Sequence, residues 1–169
     1  MTLVECVEHG TSAQLKAFLH DHPNQKPVEL AEALSAASFR EDGEKVIVLL
    51  DYGAPLDIHP QNRWPALHNA VEQMNFELVR LLHERGADVN FPDSSGWTPL
   101  HHAVDTEADC AWQAEETPTG ELVELLLALG AKTEVRDERG RTPLDVARDY
   151  QFGRAIELLT TKPYPCRPH

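Results

Sequence analysis

Positive charge is what this chain has least of. Lys and Arg together number 15 against 28 Asp and Glu, for a formal net charge of −13 over 169 residues. From Gly86 to Ala131 neither Lys nor Arg occurs, while Asp88, Asp93, Asp105, Glu107, Asp109, Glu115, Glu116, Glu121 and Glu124 all fall there. Such a polyanion repels phosphate backbones and anionic lipid, so neither nucleic acid nor membrane is expected as a partner. Long apolar runs are also missing. No stretch of eighteen apolar residues exists to span a bilayer, and Met1-Thr-Leu-Val-Glu-Cys6 lacks the charged start and apolar core of a secretion signal. The chain is therefore expected to be soluble and not exported. Cysteine is sparse: Cys6, Cys110 and Cys166 are odd in number, far apart and without Cys-x-x-Cys spacing. That argues against a disulfide framework or zinc site and for a reducing, cytoplasmic compartment.

Catalytic signatures are absent as well. There is no Gly-x-Gly-x-x-Gly, no P-loop and no Gly-x-Ser-x-Gly, and Ser94-Ser-Gly96 reads as a turn. His101 and His102 are adjacent and so face different directions on a helix, and His83-Glu84 has no His at position 87. No catalytic, cofactor-binding or metal-binding residue is assigned, no cofactor is expected, and an enzyme would require a site assembled around the acidic stretch with residues such as His102 and Glu116.

What is present is a period. Gly86-Ala87 is followed by Trp97, Leu100, His101 and Ala103; thirty-three residues upstream the same places hold Gly53, Ala54, Trp64, Leu67, His68 and Ala70. Downstream, Gly130, Ala131, Asp137, Gly140, Thr142, Pro143, Leu144 and Ala147 answer Gly86, Ala87, Asp93, Gly96, Thr98, Pro99, Leu100 and Ala103. Fixed-period self-similarity marks stacked repeats. Thr98-Pro-Leu-His-His-Ala103, with its preceding Gly-Ala start and Asp-x-x-Gly turn, resembles the ankyrin repeat at every fixed position. Pro65-Ala-Leu-His-Asn-Ala70 has lost the Thr, and Thr142-Pro-Leu-Asp-Val-Ala147 has Asp145 in the His place.

The resemblance implies an all-α solenoid of about five helix pairs joined by short hairpin loops, in a single domain of residues 1–169. An N-terminal cap takes 1–26, repeats take 27–52, 53–85, 86–129 and 130–160, and a Pro-rich tail takes 161–169. Gly10 is expected to end a first helix and Ser12 to cap a second. Further helices are expected over about 28–39, 44–52, 66–74 and 76–85, the last ended by Gly86, with Leu82 and Leu126 in the core.

The fourth repeat is too long. Leu67 to Gly86 is nineteen residues and Leu100 to Gly130 is thirty, so eleven extra residues lie within the insert 104–119. Inserts in stacked repeats map to loops on one face, often the binding face, and Thr117-Pro118 reads as the cap and first-turn Pro that restart the second helix. The insert carries Trp112, which either packs back onto the helices or meets a partner.

In ankyrin repeats the first helices and hairpin tips line a concave surface, and the residue just before the Thr-Pro-Leu-His points into it. The resemblance places Trp64, Trp97 and Arg141 there, with Gln61, Asn62, Ser94, Ser95, Glu138 and Arg139 at the tips and Asp105 on a helix. Trp and Arg are enriched among interface hot spots; the competing reading makes each Trp a lid over its hairpin. The His of the motif is implied to bond within the hairpin and helix start. The partner-binding set is completed by Glu107, Trp112, Glu115 and Glu116 of the insert. Together these features suggest a monomeric protein-binding module with a basic protein partner, of inhibitor or immunity type. A scaffold or regulatory subunit is the alternative, and the acidic stretch is read either as partner-steering or as a solvated face.

Overall fold

The computed structural model describes residues 2–60 and 63–161. Gln61, Asn62, Cys166 and the tail from Lys162 onward lie outside them. Ten helices and no strands are found among the described residues, and no helix there is long and apolar enough to cross a membrane. The chain divides into two compact units, residues 1–88 and 89–169.

The first unit holds α1 (Leu3–His9), α2 (Ser12–Asp21), α3 (Pro27–Phe39), α4 (Gly43–Asp51), α5 (Ala66–Glu72) and α6 (Phe76–Glu84). The first helices of each pair form one row, α1 on α3 and α3 on α5, with α2 against α4 behind them. Leu34, Ala37, Val46, Leu49, Ala70, Val79 and Leu82 are all fully buried, so the second repeat, which has lost the motif, has kept the residues that fill the core. Thr11, not Ser12, caps α2: its hydroxyl accepts the Gln14 N–H, and the Gln14 side chain accepts the Thr11 N–H. The Ser12 hydroxyl instead donates to Glu44 at 2.8 Å. Gly10 ends α1 through close approach, since a Cβ there would stand 2.6 Å from the Cys6 carbonyl oxygen. Lys45 is buried, donating from Nζ to the Val7 carbonyl and pairing with Asp42, each at 2.8 Å.

The second unit holds α7 (Pro99–Gln113), α8 (Glu121–Ala128), α9 (Pro143–Asp149) and α10 (Gly153–Thr160). Here α7 packs on α9 and α8 on α10. Leu122, Val123 and Leu126 of α8 are fully buried, as are Leu100, Ala103 and Val104 of α7.

The same corner joins the paired helices in both units. Glu41, Met74, Glu115 and Gln151 take left-handed backbone at φ between 50° and 57°, and each following N–H reaches five residues back, as from Asn75 to the Ala70 carbonyl and from Glu116 to Ala111. Gly86, at φ +98°, ends α6 in the left-handed region that Gly enters without steric cost.

In the fourth repeat that corner comes later. The position equivalent to Met74 is 107, and the corner falls at Glu115, so eight of the eleven extra residues are wound onto α7. The expectation of a loop is corrected: residues 104–113 contain no Gly or Pro to stop the helix. Thr117-Pro118 does not start α8 either. The helix begins at Glu121 after Gly120, itself left-handed at φ +78°.

Leu126→Ala empties a closed site and is expected to lower stability by about 2 to 5 kcal/mol. Urea denaturation followed by circular dichroism measures this; a midpoint unchanged from wild type would show that α8 is not packed as described.

Candidate protein-interaction site

The two hairpin tips of the second unit are built alike. Asp93 Oδ1 accepts the N–H groups of Ser95 and Trp97 at 2.8 and 2.9 Å, and Asp137 Oδ1 accepts those of Arg139 and Arg141 at 2.9 and 2.8 Å. Each Asp thereby closes a turn whose backbone donors would otherwise be unmet. The tips are also tied to each other. Glu138 N–H donates to the Ser95 carbonyl at 3.2 Å, which needs Gly96, because a Cβ there would stand 3.0 Å from the Glu138 nitrogen. The indole Nε1–H of Trp97 donates to Asp137 Oδ2 at 3.0 Å, the Arg141 guanidinium donates to the same oxygen, and its Cζ lies 5.5 Å from the Trp97 ring centroid.

Trp97 and Arg141 are therefore not outward anchors. Their polar ends are spent on Asp137, and Trp97 is half-buried against His101 and His102. What they hold outward are the exposed tip residues Ser94, Ser95, Glu138 and Arg139.

The motif histidine does bond within the hairpin and helix start. His101 Nδ1 accepts the Thr98 N–H at 3.2 Å, so its proton sits on Nε2, which donates to the Arg141 carbonyl at 3.1 Å. Burial lowers the His101 pKa and keeps the ring neutral, as this pattern requires. Asp145, in the His place of the last repeat, closes a local box with Thr142 instead. His102 has a partner that its sequence position did not reveal: its Nε2–H donates to Asp93 Oδ2 at 3.0 Å, both groups buried. Burial works against the Asp93 charge, but the bonds from His102, Ser95 and Trp97 prevail and hold its carboxyl down to about 2.

In the first unit, the Trp64 carbonyl accepts from the Ser35 hydroxyl at 2.7 Å and from the Asn69 amide at 3.1 Å. These bonds fix the backbone and leave the residue 37% exposed.

Glu107 is the clearest correction. It is 3% exposed and cannot meet a partner; its carboxylate accepts the N–H groups of Leu122 and Val123 at 3.1 and 3.2 Å. In the shorter repeats Asp42 and Asn75 do this work from the corner itself, accepting from Lys45 and Leu78. With the corner displaced, Glu107 on the side of α7 reaches across to cap α8. Burial raises its pKa despite those N–H bonds.

Beyond Glu107 the helix keeps Ala108 and Ala111 buried and turns its other faces to solvent. Trp112 is 76% exposed, not packed back, and Cys110, Glu115 and Glu116 are exposed beside it. Between this end of α7, the linker at Glu116–Pro118 and the α9–α10 corner lies an open groove of about 530 Å³. Tyr150 borders it, 38% exposed, with its hydroxyl donating to Asp105 Oδ1 at 2.7 Å. That bond and the neighbouring carboxylates push the phenol up to about 12. Of the residues assigned from sequence, the structure brings Trp112, Glu115 and Glu116 to the C-terminal end of α7, with Asp105 at mid-helix bonded to Tyr150. Tyr150 and Arg154, in the opposite wall, were not foreseen, since no spacing connects them to the insert. Among the described residues there is no cluster of three or more His, Cys, Asp or Glu able to hold a metal ion.

Comparison with known families bears on these features. A family model described as ankyrin repeats in three copies matches residues 3–93 and 33–114, and a model of the single ankyrin repeat matches 95–138. No curated protein matches the chain.

A carboxyl lowered from 3.8 to about 2 stabilises the fold fully above about pH 4 and loses that contribution as pH falls toward 2. Asp93→Asn is expected to cost about 1.5 to 3 kcal/mol at neutral pH and to flatten the decline of stability between pH 4 and 2. Urea titrations of both proteins across that range decide it; parallel pH profiles would show that Asp93 does not carry the acid sensitivity.

Proposed function

The chain belongs to the ankyrin-repeat family, and from that premise we propose that it is a non-enzymatic cytoplasmic module that binds and occludes a basic protein, in the manner of an inhibitor or immunity protein. Ankyrin repeats are protein-interaction modules. The observation that carries the finer reading is where the charge lies: the stretch from Gly86 to Ala131, without a single Lys or Arg, includes the extended α7 and its exposed Trp112. A net charge of −13 accelerates encounter with a cationic surface and disfavours anionic competitors. The exposed contact residues we assign are Ser94, Ser95, Glu138 and Arg139 at the tips and Trp112, Glu115 and Glu116 around the end of α7, with the half-buried Asp105 beside them and Trp64 as a separate contact in the first unit. Trp97 and Arg141 serve by holding the tips in shape.

Surface charges separated by more than about 10 Å are screened at 0.1 M salt, so the encounter is expected to be salt-sensitive. Affinity capture from native lysate at low ionic strength should recover proteins of net positive charge, and raised salt should release them. Captured proteins that are acidic, or that stay bound equally at all salt concentrations, would contradict the charge-based reading.

A further inference from the structure

We propose that the groove between the end of α7 and the α9–α10 corner seats an arginine or lysine side chain from a basic segment of the protein partner, stacked on the Trp112 indole. This rests on the reading of the partner as basic and adds the place and chemistry of the contact.

The groove is shaped for a long side chain with a charged tip. Asp105, Ala108 and Trp112 follow one another at i, i+3 and i+7, which brings them onto one face of α7. Ala108 is small, and across from it a Cβ on Gly153 would meet nothing within 4 Å, so the space between the helices stays open. The indole forms one wall of that space and is left in water.

Its electrostatics select the sign. Glu116 lines the groove together with Trp112, Asp109 lies one turn before the indole on α7, and Glu115 and Glu116 have no ion pair among the described residues. The cation in the opposite wall, Arg154, already lies between Glu124 and Glu157, at 3.7 and 3.4 Å. The Tyr150 hydroxyl is engaged by Asp105 as donor. Asp105 accepts from Tyr150 and Asp109 from the Gln113 amide, so an incoming guanidinium or ammonium meets the unpaired Glu116 carboxylate and the electron-rich face of an indole, the pairing that favours Arg over Lys.

The test uses the full chain and, as probe, an end-blocked peptide of alternating arginine and glycine, followed through the three indole N–H signals in nuclear magnetic resonance spectra. The Trp112 signal is expected to shift on titration while those of Trp64 and Trp97 stay in place, and a peptide with glutamine for arginine should be inert. Trp112→Ala is expected to weaken binding about tenfold. Gly153→Leu fills the groove without touching its charge, and because Gly153 is not in left-handed backbone the substitution carries no strain; it should weaken binding similarly with an unchanged or higher Tm. Peptide affinity unaltered in both variants, or a shift confined to Trp64, overturns the groove while leaving charge-dependent capture by the wild type intact. Loss of that capture in the wild type would instead overturn the basic-partner reading.

Discussion

A pair of helices seven to fifteen residues long has too little surface to enclose its own apolar stripe, and that constraint organises the structure. In α8, Leu122, Val123 and Leu126 are shut from water by packing on α7 of its own repeat and α10 of the next. Stability is then a matter of interfaces between repeats, and each hairpin tip becomes a tie as well as a turn. Asp137 shows how far this goes. One oxygen closes its own loop, and the other takes the indole of the preceding repeat and the guanidinium of its own. The residues that look most like binding anchors in the second unit are consumed by this tie.

The fourth repeat departs from the pattern without breaking it. Its first helix could lengthen because the corner that ends it is a portable backbone device: a left-handed residue and a bond reaching five residues back, found at Glu115 as at Met74 and Gln151. Displacing the corner separates the second helix from its usual cap. Glu107 replaces that cap from the flank of α7, at the cost of burying a carboxylate, which its two backbone donors offset only in part. The extension supplies one wall of the groove, through Ala108 and Trp112.

Much of this architecture was legible from residues alone. Helix positions, the buried leucines Leu82 and Leu126 and the role of Gly86 follow from local rules, since periodicity, turn residues and helix ends depend on neighbours a few positions away. The insert was legible in length and charge but was misread in form. Its lack of helix breakers was visible, and the expectation of a loop came from the habit of inserts in repeat proteins rather than from residues 104–113 themselves.

By itself, the sequence determined the repeat, its period, the eleven-residue excess and the acidity of the stretch around it. Only the tertiary structure decided which side chains are spent and which are available: Trp97 on Asp137, His102 on Asp93, Glu107 on α8 and Tyr150 on Asp105, against Trp112 left in water. The physical reason is range. Helix formation and turns are settled by contacts between residues close in sequence, whereas a carboxylate's partner or an indole's exposure depends on groups brought together from up to fifty-five positions away, as Arg63 and Glu8 are, and no local pattern encodes them.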